Sequence, residues 1–341
     1  MITPSFHPSI GGVETHVRRV SECLSARGHD LTVLTHSSEA APSSEQLGPL
    51  AVCRLPRTNW WQAWRAARPH ISNADIVHCH DAYSFLHFYL PSCYLTPRRP
   101  VFITYHGYEG YPLRSEAIRW RRFTRRRVRD AICMGDFMCH WYGTPCFAVS
   151  YGGVDVDPAG PPPLPERPSA VFVGRLAEDT SIMLYLYALA LLKQDHGQRL
   201  PLTVVGDGPL RGPAQLYARA QHLDVTFRGV VADPTAEFAR ASIAFVSGYL
   251  AIWQALSLGR LVFAVYENEL KRDYLSSFPR ASETMVIAGE ADELAAQLDR
   301  HLRRPAEADQ TRTTGLQLAA EHPWDGVADL YLSMYRTHGL T

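Results

Sequence analysis

The chain has 341 residues, of which 46% are hydrophobic, so it is long enough to form two domains with separate cores at about 150 residues each. Its 34 Lys and Arg residues balance 34 Asp and Glu residues, which excludes a global charge that would attract nucleic acid or another polyanion. The seven cysteines are scattered and include no Cys-x-x-Cys pair, which indicates reduced thiols rather than a disulfide framework or a zinc site.

The first half alternates predicted strands with helices, which is typical of parallel sheets covered by helices on both faces. Only Met1-Ile2-Thr3 precedes the loop that carries Gly11-Gly12, so either the start is truncated or the sheet lacks an element. The next helix ends near Gly28 and presents one apolar face, formed by Val13, Val17, Val20 and Leu24. Strands are predicted at residues 30–34, 50–54, 75–78, 101–104, 131–134 and 147–150.

A proline-rich segment, residues 157–165, cannot continue a helix or a central strand and predicts a domain boundary. We therefore expect an N-terminal domain (1–156), a linker (157–169), a C-terminal domain (170–323) and a last helix (324–341) that returns toward the N-terminal domain. Strands of the second half are predicted at 170–173, 202–205, 225–228, 243–246, 261–265 and 285–287. Glycines and polar residues interrupt the most apolar window, 243–266, which therefore predicts buried elements rather than a membrane span.

Two strands of the second half end in glycine turns, Gly174-Arg175 and Gly206-Asp207-Gly208. Glycine lets the backbone approach an anion closely, and the N–H groups and dipole of the following helix favour negative charge. Arg175 adds a guanidinium group, which is always positively charged and presents several N–H donors. Since the carboxyl ends of parallel strands meet at one edge of a sheet, the turns predict a nucleotide site there.

Taken in order, seven stretches resemble the GT-B glycosyltransferases of glycosyltransferase family 4, which transfer a sugar from a nucleotide-sugar donor with retention of anomeric configuration. These stretches are FHPSIGGVE (6–14), RGHD (27–30), DIVHCH (75–80), TYHG (104–107), YGGVD (151–155), VGRL (173–176) and VGDGP (205–209). The resemblance covers nearly the whole chain. It implies an α/β fold of the GT-B type, with two Rossmann-like doubly wound domains facing a central cleft.

The resemblance also implies roles for individual residues. Arg175 would neutralise the charge that develops on the departing phosphate, and His106 would face the transferring sugar. These two are the expected catalytic residues. The expected donor-binding residues are Gly11, Gly12, Arg175, Gly206, Asp207, Gly208, Val230, Gln254 and Lys271. The expected acceptor-binding residues are Glu14, His80, Tyr108 and Glu109.

The sequence departs from the family pattern at three positions. Two glutamates separated by seven residues are usual in the family, and here Val246 and Gln254 occupy their places. Gln254 can still hydrogen-bond a ribose hydroxyl. Thr180 lies near the place of a diphosphate-binding lysine, so Lys271 either substitutes from another loop or is a solvated charge at a helix start. No metal site is expected, because His78, His80 and Asp81 lack a further ligand and the family needs no protein-bound metal.

The expected activity is that of a retaining hexosyltransferase (EC 2.4) with a nucleoside-diphosphate sugar, UDP- or GDP-linked, as co-substrate and no bound cofactor. The acceptor is a hydroxyl of a glycan, a lipid-linked sugar or a small molecule, and no nucleic-acid partner is expected. One rival is a catalytically impaired nucleotide-binding or partner subunit, which the three departures would explain. Another is a GT-B epimerase or hydrolase that consumes donor without an acceptor.

An arginine-rich segment supports a separate hypothesis. Residues 114–129 contain eight arginines, and a helix there would have an apolar seam formed by Ala117, Trp120, Thr124 and Val128. Such a helix either docks on anionic lipid head groups or packs on the sheet through its seam. No secretion leader is visible, so we expect a cytoplasmic protein, at the inner face of the membrane if the helix docks.

Overall fold

The computed structural model describes residues 1–38, 41–56, 59–95, 99–107 and 110–340. The chain divides into two compact units, unit 1 (Met1–Gly152 with Trp324–Thr341) and unit 2 (Gly153–Pro323). Every strand expected from the sequence is present within two residues of its expected bounds. Within the described ranges, no helix is both long enough and apolar enough to cross a lipid bilayer.

The strands of unit 1 are β1 (Thr32–His36), β2 (Ser44–Leu47), β3 (Leu50–Leu55), β4 (Val77–His80), β5 (Val101–Tyr105), β6 (Ala131–Met134) and β7 (Ala148–Ser150). They form one group in the order β1-β3-β2 and a second in the order β4-β5-β6-β7. Ile2 joins the groups, because it pairs in parallel with Leu34 of β1 and with Cys79 of β4. Residues 1–3 therefore lie between β1 and β4, and the alternative that the sheet lacks an element there is wrong.

The first helices of unit 1 are α1 (Gly12–Ala26), α2 (Trp60–Asn73), α3 (Asp81–Ser84), α4 (Ser92–Leu95), α5 (Ser115–Arg125) and α6 (Phe137–Tyr142). A single π-helical turn, Phe85–Tyr89, separates α3 from α4. The predicted apolar face of α1 is confirmed, since Val17, Val20 and Leu24 are buried. The helix stops just before Gly28, whose φ of +91° favours glycine.

The predicted seam of α5 is wrong at its centre. Trp120 is 47% exposed, whereas Arg121 is only 1% exposed. The guanidinium of Arg121 lies 5.1 Å from the ring centroid of Tyr105 and 4.2 Å from that of Tyr142, so two aromatic faces offset its burial. Thr124 and Val128 are buried as expected. The helix therefore packs through a cation and a hydroxyl, and its tryptophan faces outward.

The strands of unit 2 are β8 (Ala170–Val173), β9 (Leu202–Val205), β10 (Val225–Gly229), β11 (Ile243–Phe245), β12 (Leu261–Val265) and β13 (Met285–Ala288). They form one parallel sheet in the order β10-β9-β8-β11-β12-β13. The chain thus starts in the middle, winds to one edge, returns and winds to the other. The winding reverses between β8 and β11, and ligands bind outside the carboxyl ends of strands at such a point.

The helices of unit 2 are α7 (Ile182–His196), α8 (Arg211–Ala220), α9 (Thr235–Ala239), α10 (Tyr249–Ser257), α11 (Glu269–Ser276), α12 (Ala281–Thr284), α13 (Ala291–Arg303) and α14 (Pro305–Ala320). Helix α7 is apolar on nearly every side, which is typical of a helix enclosed by other elements. It packs on α13 and α8, and its leucines belong to the main core of unit 2. This core holds β8 and its following turn in place.

The proline-rich segment and the last helix have different attachments. Buried Arg260 donates to the carbonyl of Pro162 at 2.6 Å and to that of Ala241 at 3.0 Å, which fixes the segment to unit 2. Val154 pairs with Pro323, so the chain enters and leaves unit 2 at neighbouring points. The last helix, α15 (Trp324–Thr337), belongs to unit 1 and packs on α1.

Candidate active site

The two glycine turns of unit 2 pack directly on each other beyond β8 and β9. The backbone N–H of Leu176 donates to the carbonyl of Asp207 at 2.9 Å. Gly206 has φ +134° and Gly208 has φ +158°, which L side chains rarely adopt. A Cβ at Gly206 would overlap the carbonyl oxygen of Gly174, and one at Gly208 would overlap that of Leu176. Glycine is therefore required at both positions by the packing of the protein itself.

The charged side chains at these turns form ion pairs with residues close in sequence. Arg175 is 74% exposed and pairs with Asp179 at 2.6 Å. The carboxylate of Asp207 accepts from the N–H of Gly208 at 2.7 Å and from Arg211 at 2.6 Å, and these two bonds lower its pKa. Asp207 thus fixes the turn, while the guanidinium of Arg175 extends into solvent beside it.

Lys271 lies on α11 and is buried, so the alternative of a solvated charge is wrong. The residue is 6% exposed, and its Nζ donates to the carbonyl of Ser247 at 2.7 Å. Burial lowers the pKa of Lys271 to about 8, with an opposing effect from Asp179 and a smaller lowering from Arg175. These three side chains are therefore within electrostatic range of one another, and Ser247 follows β11 at the reversal point.

The side chains at the remaining expected positions of unit 2 carry no charge. Val246 is fully buried at the end of β11, and Gln254 is half-buried on α10. Val230 follows β10 and is exposed. The hydroxyl of Thr180 donates to the carbonyl of Arg175 and, at 2.9 Å, to that of Ala177. Thr180 therefore stabilises the turn that carries Arg175.

Four histidines of unit 1 form a buried cluster with two tyrosines and a threonine. His16 comes from α1, His78 and His80 from β4, and His106 follows β5. The seven residues of this histidine cluster are His16, His78, His80, Thr104, His106, Tyr331 and Tyr335. Rings of His16 and His106 pack edge to face with centroids 4.9 Å apart.

Short hydrogen bonds connect the histidine cluster. Nδ1 of His80 is 2.9 Å from Nε2 of His106. The hydroxyl of Tyr331 joins Nε2 of His16, at 2.9 Å, to the hydroxyl of Thr104, at 2.7 Å. His78 binds Tyr335 through Nδ1 at 2.7 Å and Thr104 through Nε2 at 2.8 Å. A continuous polar chain therefore runs from α15 through β5 to β4.

Burial keeps the clustered histidines neutral. Desolvation lowers the pKa of His16 to about 3. It also lowers the pKa of His78, His80 and His106 well below the ordinary value, and the closeness of other groups that would be positive when protonated lowers it further. Among the described residues, Nδ1 of His16 and Nε2 of His80 have no hydrogen-bond partner. Each neutral ring can donate through one nitrogen and accept through the other.

His106 is the least buried histidine of this cluster. It is 7% exposed, whereas His80 behind it is completely buried. Its backbone N–H donates to the carboxylate of Asp81 at 2.6 Å, and its carbonyl accepts from Arg121 at 3.4 Å. Asp81 itself has φ +66°, a conformation rare outside glycine. The backbone and the ring of His106 are thus fixed from both sides.

The other expected residues of unit 1 lie at the start of α1 or outside the described residues. Gly11 is the N-cap of α1 in extended backbone, and a Cβ there would meet only the flexible end of Glu14. Gly12 begins the helix, with open space where a side chain would lie. Glu14 is half-buried in the first turn. Tyr108 and Glu109 lie outside the described residues.

Sequence reasoning missed the partners of the histidines. His16 lies on the buried face of α1, one residue before Val17, so the apolar stripe was a usable signal. Tyr331 and Tyr335 are four residues apart on one face of α15. No local pattern connects them with His16, which is 315 residues away from Tyr331.

Comparison with known proteins gives two consecutive family matches. The description Glycosyltransferase Family 4 matches residues 10–157, and Glycosyl transferases group 1 matches residues 167–304. A component of the phosphatidylinositol N-acetylglucosaminyltransferase of Homo sapiens is 43% identical over 37 residues, which are 11% of this chain and 8% of that protein.

Two solved structures show the same fold over almost the whole chain. A glycosyltransferase from Rickettsia africae ESF-5 is 14% identical, with a TM-score of 0.76 and coverage of 98% of this chain and 97% of that one. Anabaena HepE in complex with UDP-glucose is 12% identical, with a TM-score of 0.76 and 99% coverage of both chains. Identities this low show the fold and no more.

Two Rossmann-like units with these structural neighbours define the GT-B fold. Both the predicted fold class and the predicted resemblance are thereby confirmed. The chain belongs to glycosyltransferase family 4, with a group 1 domain in its second half.

Proposed function

We propose that this chain is a retaining hexosyltransferase that moves a sugar from a nucleoside-diphosphate sugar to a hydroxyl acceptor. The observation that carries this function is the pair of interlocked glycine turns at the carboxyl ends of β8 and β9, with Arg175 and Lys271 in electrostatic range. Two cations beside these turns suit a diphosphate. Lys271 then supplies the charge that Thr180 lacks.

A UDP-linked donor is the first candidate. The Anabaena HepE structures contain UDP, UDP with glucose, or UDP-glucose, and they share the fold of this chain. We assign donor binding to Gly206, Gly208, Arg175 and Lys271, with Gln254 on the ribose and the backbone at Val230 beside the base. Asp207 shapes the turn through its own hydrogen bonds. GDP-linked sugars are the second candidate.

We assign His106 to the sugar and Arg175 to the departing phosphate. Stabilisation of developing charge by a preorganised cation is the largest contribution that such a site offers. A neutral His106 can accept from, or donate to, a sugar hydroxyl without adding charge. His80 is completely buried, so we assign it to positioning His106 in place of direct acceptor contact. Glu14 remains an acceptor contact, and so do Tyr108 and Glu109.

The fold does not itself require glycine at the two positions that start α1. Neither Gly11 nor Gly12 has a positive φ, and no rigid neighbour excludes a side chain at either position. We propose that this loop closes on the donor diphosphate. Gly12→Val should therefore leave the urea midpoint within experimental error while it weakens donor binding.

The central experiment is a binding and turnover screen of the purified chain against UDP-, GDP-, ADP- and dTDP-sugars. We expect one donor to bind and lose its sugar to an acceptor, and Arg175→Ala to lower kcat/KM by about 100-fold. Arg303→Ala is the matched control, because Arg303 is also an exposed arginine paired with an aspartate four residues away in unit 2. It should leave kcat/KM unchanged.

Other outcomes of this screen assign a different function. Nucleotide binding without turnover in any acceptor mixture would establish the alternative of an impaired protein or partner subunit, to which buried Val246 in place of a glutamate would belong. Consumption of donor without an acceptor would establish an epimerase or hydrolase. Equal losses in Arg175→Ala and Arg303→Ala would remove Arg175 from the catalytic residues.

We propose in addition that α5 docks on an anionic membrane surface, near a lipid-linked acceptor. The exposed Trp120 lies among exposed Arg119, Arg122 and Arg126, a combination that suits lipid head groups. Wild-type protein should sediment with vesicles that contain anionic lipid, and the triple arginine-to-serine variant should not. Arg121 is left intact because it is buried. Equal sedimentation of both proteins would contradict docking through α5.

A further inference from the structure

Three cysteines converge at the corner of unit 1 formed by β6, α6 and the segment before β7. Cys133 lies on β6, Cys139 on α6, and Cys146 two residues before β7. Their Sγ atoms all lie within 4.8 Å of one another, and those of Cys139 and Cys146 are 3.4 Å apart. Cys133 is buried, and the other two are half-buried. In the described part of the chain, no other set of three His, Cys, Asp or Glu residues converges in this way.

The spacing of these sulfur atoms matches a metal site. A zinc–sulfur bond is about 2.3 Å long, so sulfurs around a tetrahedral zinc ion are about 3.8 Å apart. The sulfurs of Cys139 and Cys146, at 3.4 Å, are closer than this, and the other two sulfur–sulfur distances are no more than 4.8 Å. Small side-chain rotations would therefore equalise the three separations. Three sulfur ligands exclude Mg²⁺ and Ca²⁺, which prefer oxygen, and favour Zn²⁺.

We propose that Cys133, Cys139 and Cys146 form a zinc site, with three thiolate ligands and a water molecule in the fourth position. Binding replaces three S–H bonds with three Zn–S bonds and releases three protons to solvent. No electrons are transferred, so no oxidant is needed. This site is separate from the residues that we assign to glycosyl transfer.

The surroundings offset the charge of such a site. Three thiolates and one Zn²⁺ leave a net charge of −1, and the guanidinium of Arg125 lies beside the group, since it donates to the carbonyl of Pro145, the residue before Cys146, at 2.7 Å. Arg121 contacts Sδ of Met138, the neighbour of Cys139, at 3.7 Å. Bound zinc would therefore fix α6 against β6 at the place where α5 packs.

The first test is the stoichiometry of the full-length protein after reduction and removal of metal. Titration with Zn²⁺ alone, against a chromophoric chelator, should show one equivalent bound per chain. A thiol reagent should then modify three fewer of the seven cysteines than in metal-free protein. Co²⁺ in place of Zn²⁺ should give a thiolate-to-metal charge-transfer band. Absence of protection from the thiol reagent would overturn the proposal.

Variants separate the site from unrelated thiols. Cys139→Ser and Cys146→Ser should each weaken Zn²⁺ binding by at least about 100-fold. Cys53→Ser and Cys93→Ser, outside the group, should bind as wild type does. Because Cys133 is buried, the two half-buried positions give the cleaner test, with circular dichroism to verify the fold. Unchanged affinity in both variants, or a Cys139–Cys146 disulfide in metal-free purified protein, would overturn the proposal.

Discussion

Gly206 and Gly208 lie where two loops cross at backbone contact distance. The sequence pattern predicts that these glycines belong to a nucleotide-binding site, since a glycine turn at the end of a strand can bind phosphate. The structure adds a requirement of its own, because the carbonyl oxygens of Gly174 and Leu176 occupy the space of a side chain. Both requirements act on the same atoms, so a substitution there affects stability before it affects binding.

Gly206→Ala should lower the free energy of unfolding by about 2–4 kcal/mol. The new Cβ would overlap the carbonyl of Gly174, and φ +134° is unfavourable for alanine. Urea denaturation followed by circular dichroism measures the change. Gly212→Ala is the matched control in the next helix, since it has open space and an ordinary φ. Equal midpoints for the two variants would show that the turns can separate.

Burial of the charged Lys271 lowers the stability of the fold, and its proposed role in binding the donor diphosphate explains a buried cation at this position. Burial lowers its pKa from 10.5 to about 8, so the folded protein opposes the charge that the unfolded chain accepts. Between pH 8 and 10.5 the unfolded chain retains a proton that the folded chain has released. The stability of the wild type should therefore rise with pH in this window.

Lys271→Met should raise the free energy of unfolding by about 1–3 kcal/mol at pH 7, and the difference should vanish by pH 10.5. The same variant should weaken UDP binding at pH 7 by about 10-fold or more, because the diphosphate loses a cation. Urea denaturation at several pH values and calorimetry check the two effects. Lys193→Met, at the other lysine of the chain, should show neither. A less stable Lys271→Met protein would contradict the assigned cost of burial.

Elements differ in how far the sequence predicts them. Runs such as Val171-Phe172-Val173 mark strands by themselves, and all twelve expected strands are present. Strand β2 was not predicted, because Ser44-Glu45-Gln46 has no apolar alternation and pairs only with the neighbouring β3. The apolar seam predicted for α5 is wrong at Trp120, because the spacing of apolar residues places Arg121 on the exposed face of the helix. The rings of Tyr105 and Tyr142, which bury it, come from other elements.

The histidine cluster makes its elements sensitive to acid. Its four histidines are held neutral in the folded protein, whereas the unfolded chain binds a proton at each below its ordinary pKa of 6.5. Stability should therefore fall as pH falls below 6.5. Between pH 6.5 and 5.5 the expected loss is about 4 kcal/mol, or about 1 kcal/mol for each histidine.

Urea denaturation at pH 7.5, 6.5 and 5.5 measures this loss. His16→Asn should reduce it by about 1 kcal/mol, because one titrating ring is removed from the buried set. His222→Asn is the matched control, since His222 is exposed in unit 2 and its backbone conformation suits asparagine. A loss that is the same in wild type and His16→Asn would show that His16 takes up its proton while folded.

At the scale of the whole molecule, unit 1 is built from two separate parts of the chain. Residues 1–152 supply its sheet, and α15 supplies hydroxyl partners for His16 and His78. The glycine turns of the candidate site are visible in the sequence because each is local. The Tyr331–His16 contact is not, because it depends on the return of the chain after unit 2. Sequence patterns therefore predict the glycine turns of unit 2 better than the surroundings of His106.

The discontinuity predicts how fragments behave. Helix α15 buries Val327, Tyr331, Leu332, Met334 and Tyr335, which contributes on the order of 10 kcal/mol, as much as a typical domain has in total. Residues 1–152 alone should therefore lack a cooperative urea transition, whereas residues 153–323 should unfold cooperatively.

A fusion of residues 1–152 to 324–341 through a short Gly-Ser linker should restore the transition of unit 1. A short linker is sufficient because Val154 pairs with Pro323, which brings the two crossings of the chain together. Near-ultraviolet circular dichroism, which reports packed tyrosines and tryptophans, measures the recovery. The same fusion with the α15 sequence scrambled should remain unfolded. If residues 1–152 alone matched the intact fusion in urea midpoint, α15 would have no part in stabilising the unit that carries His106.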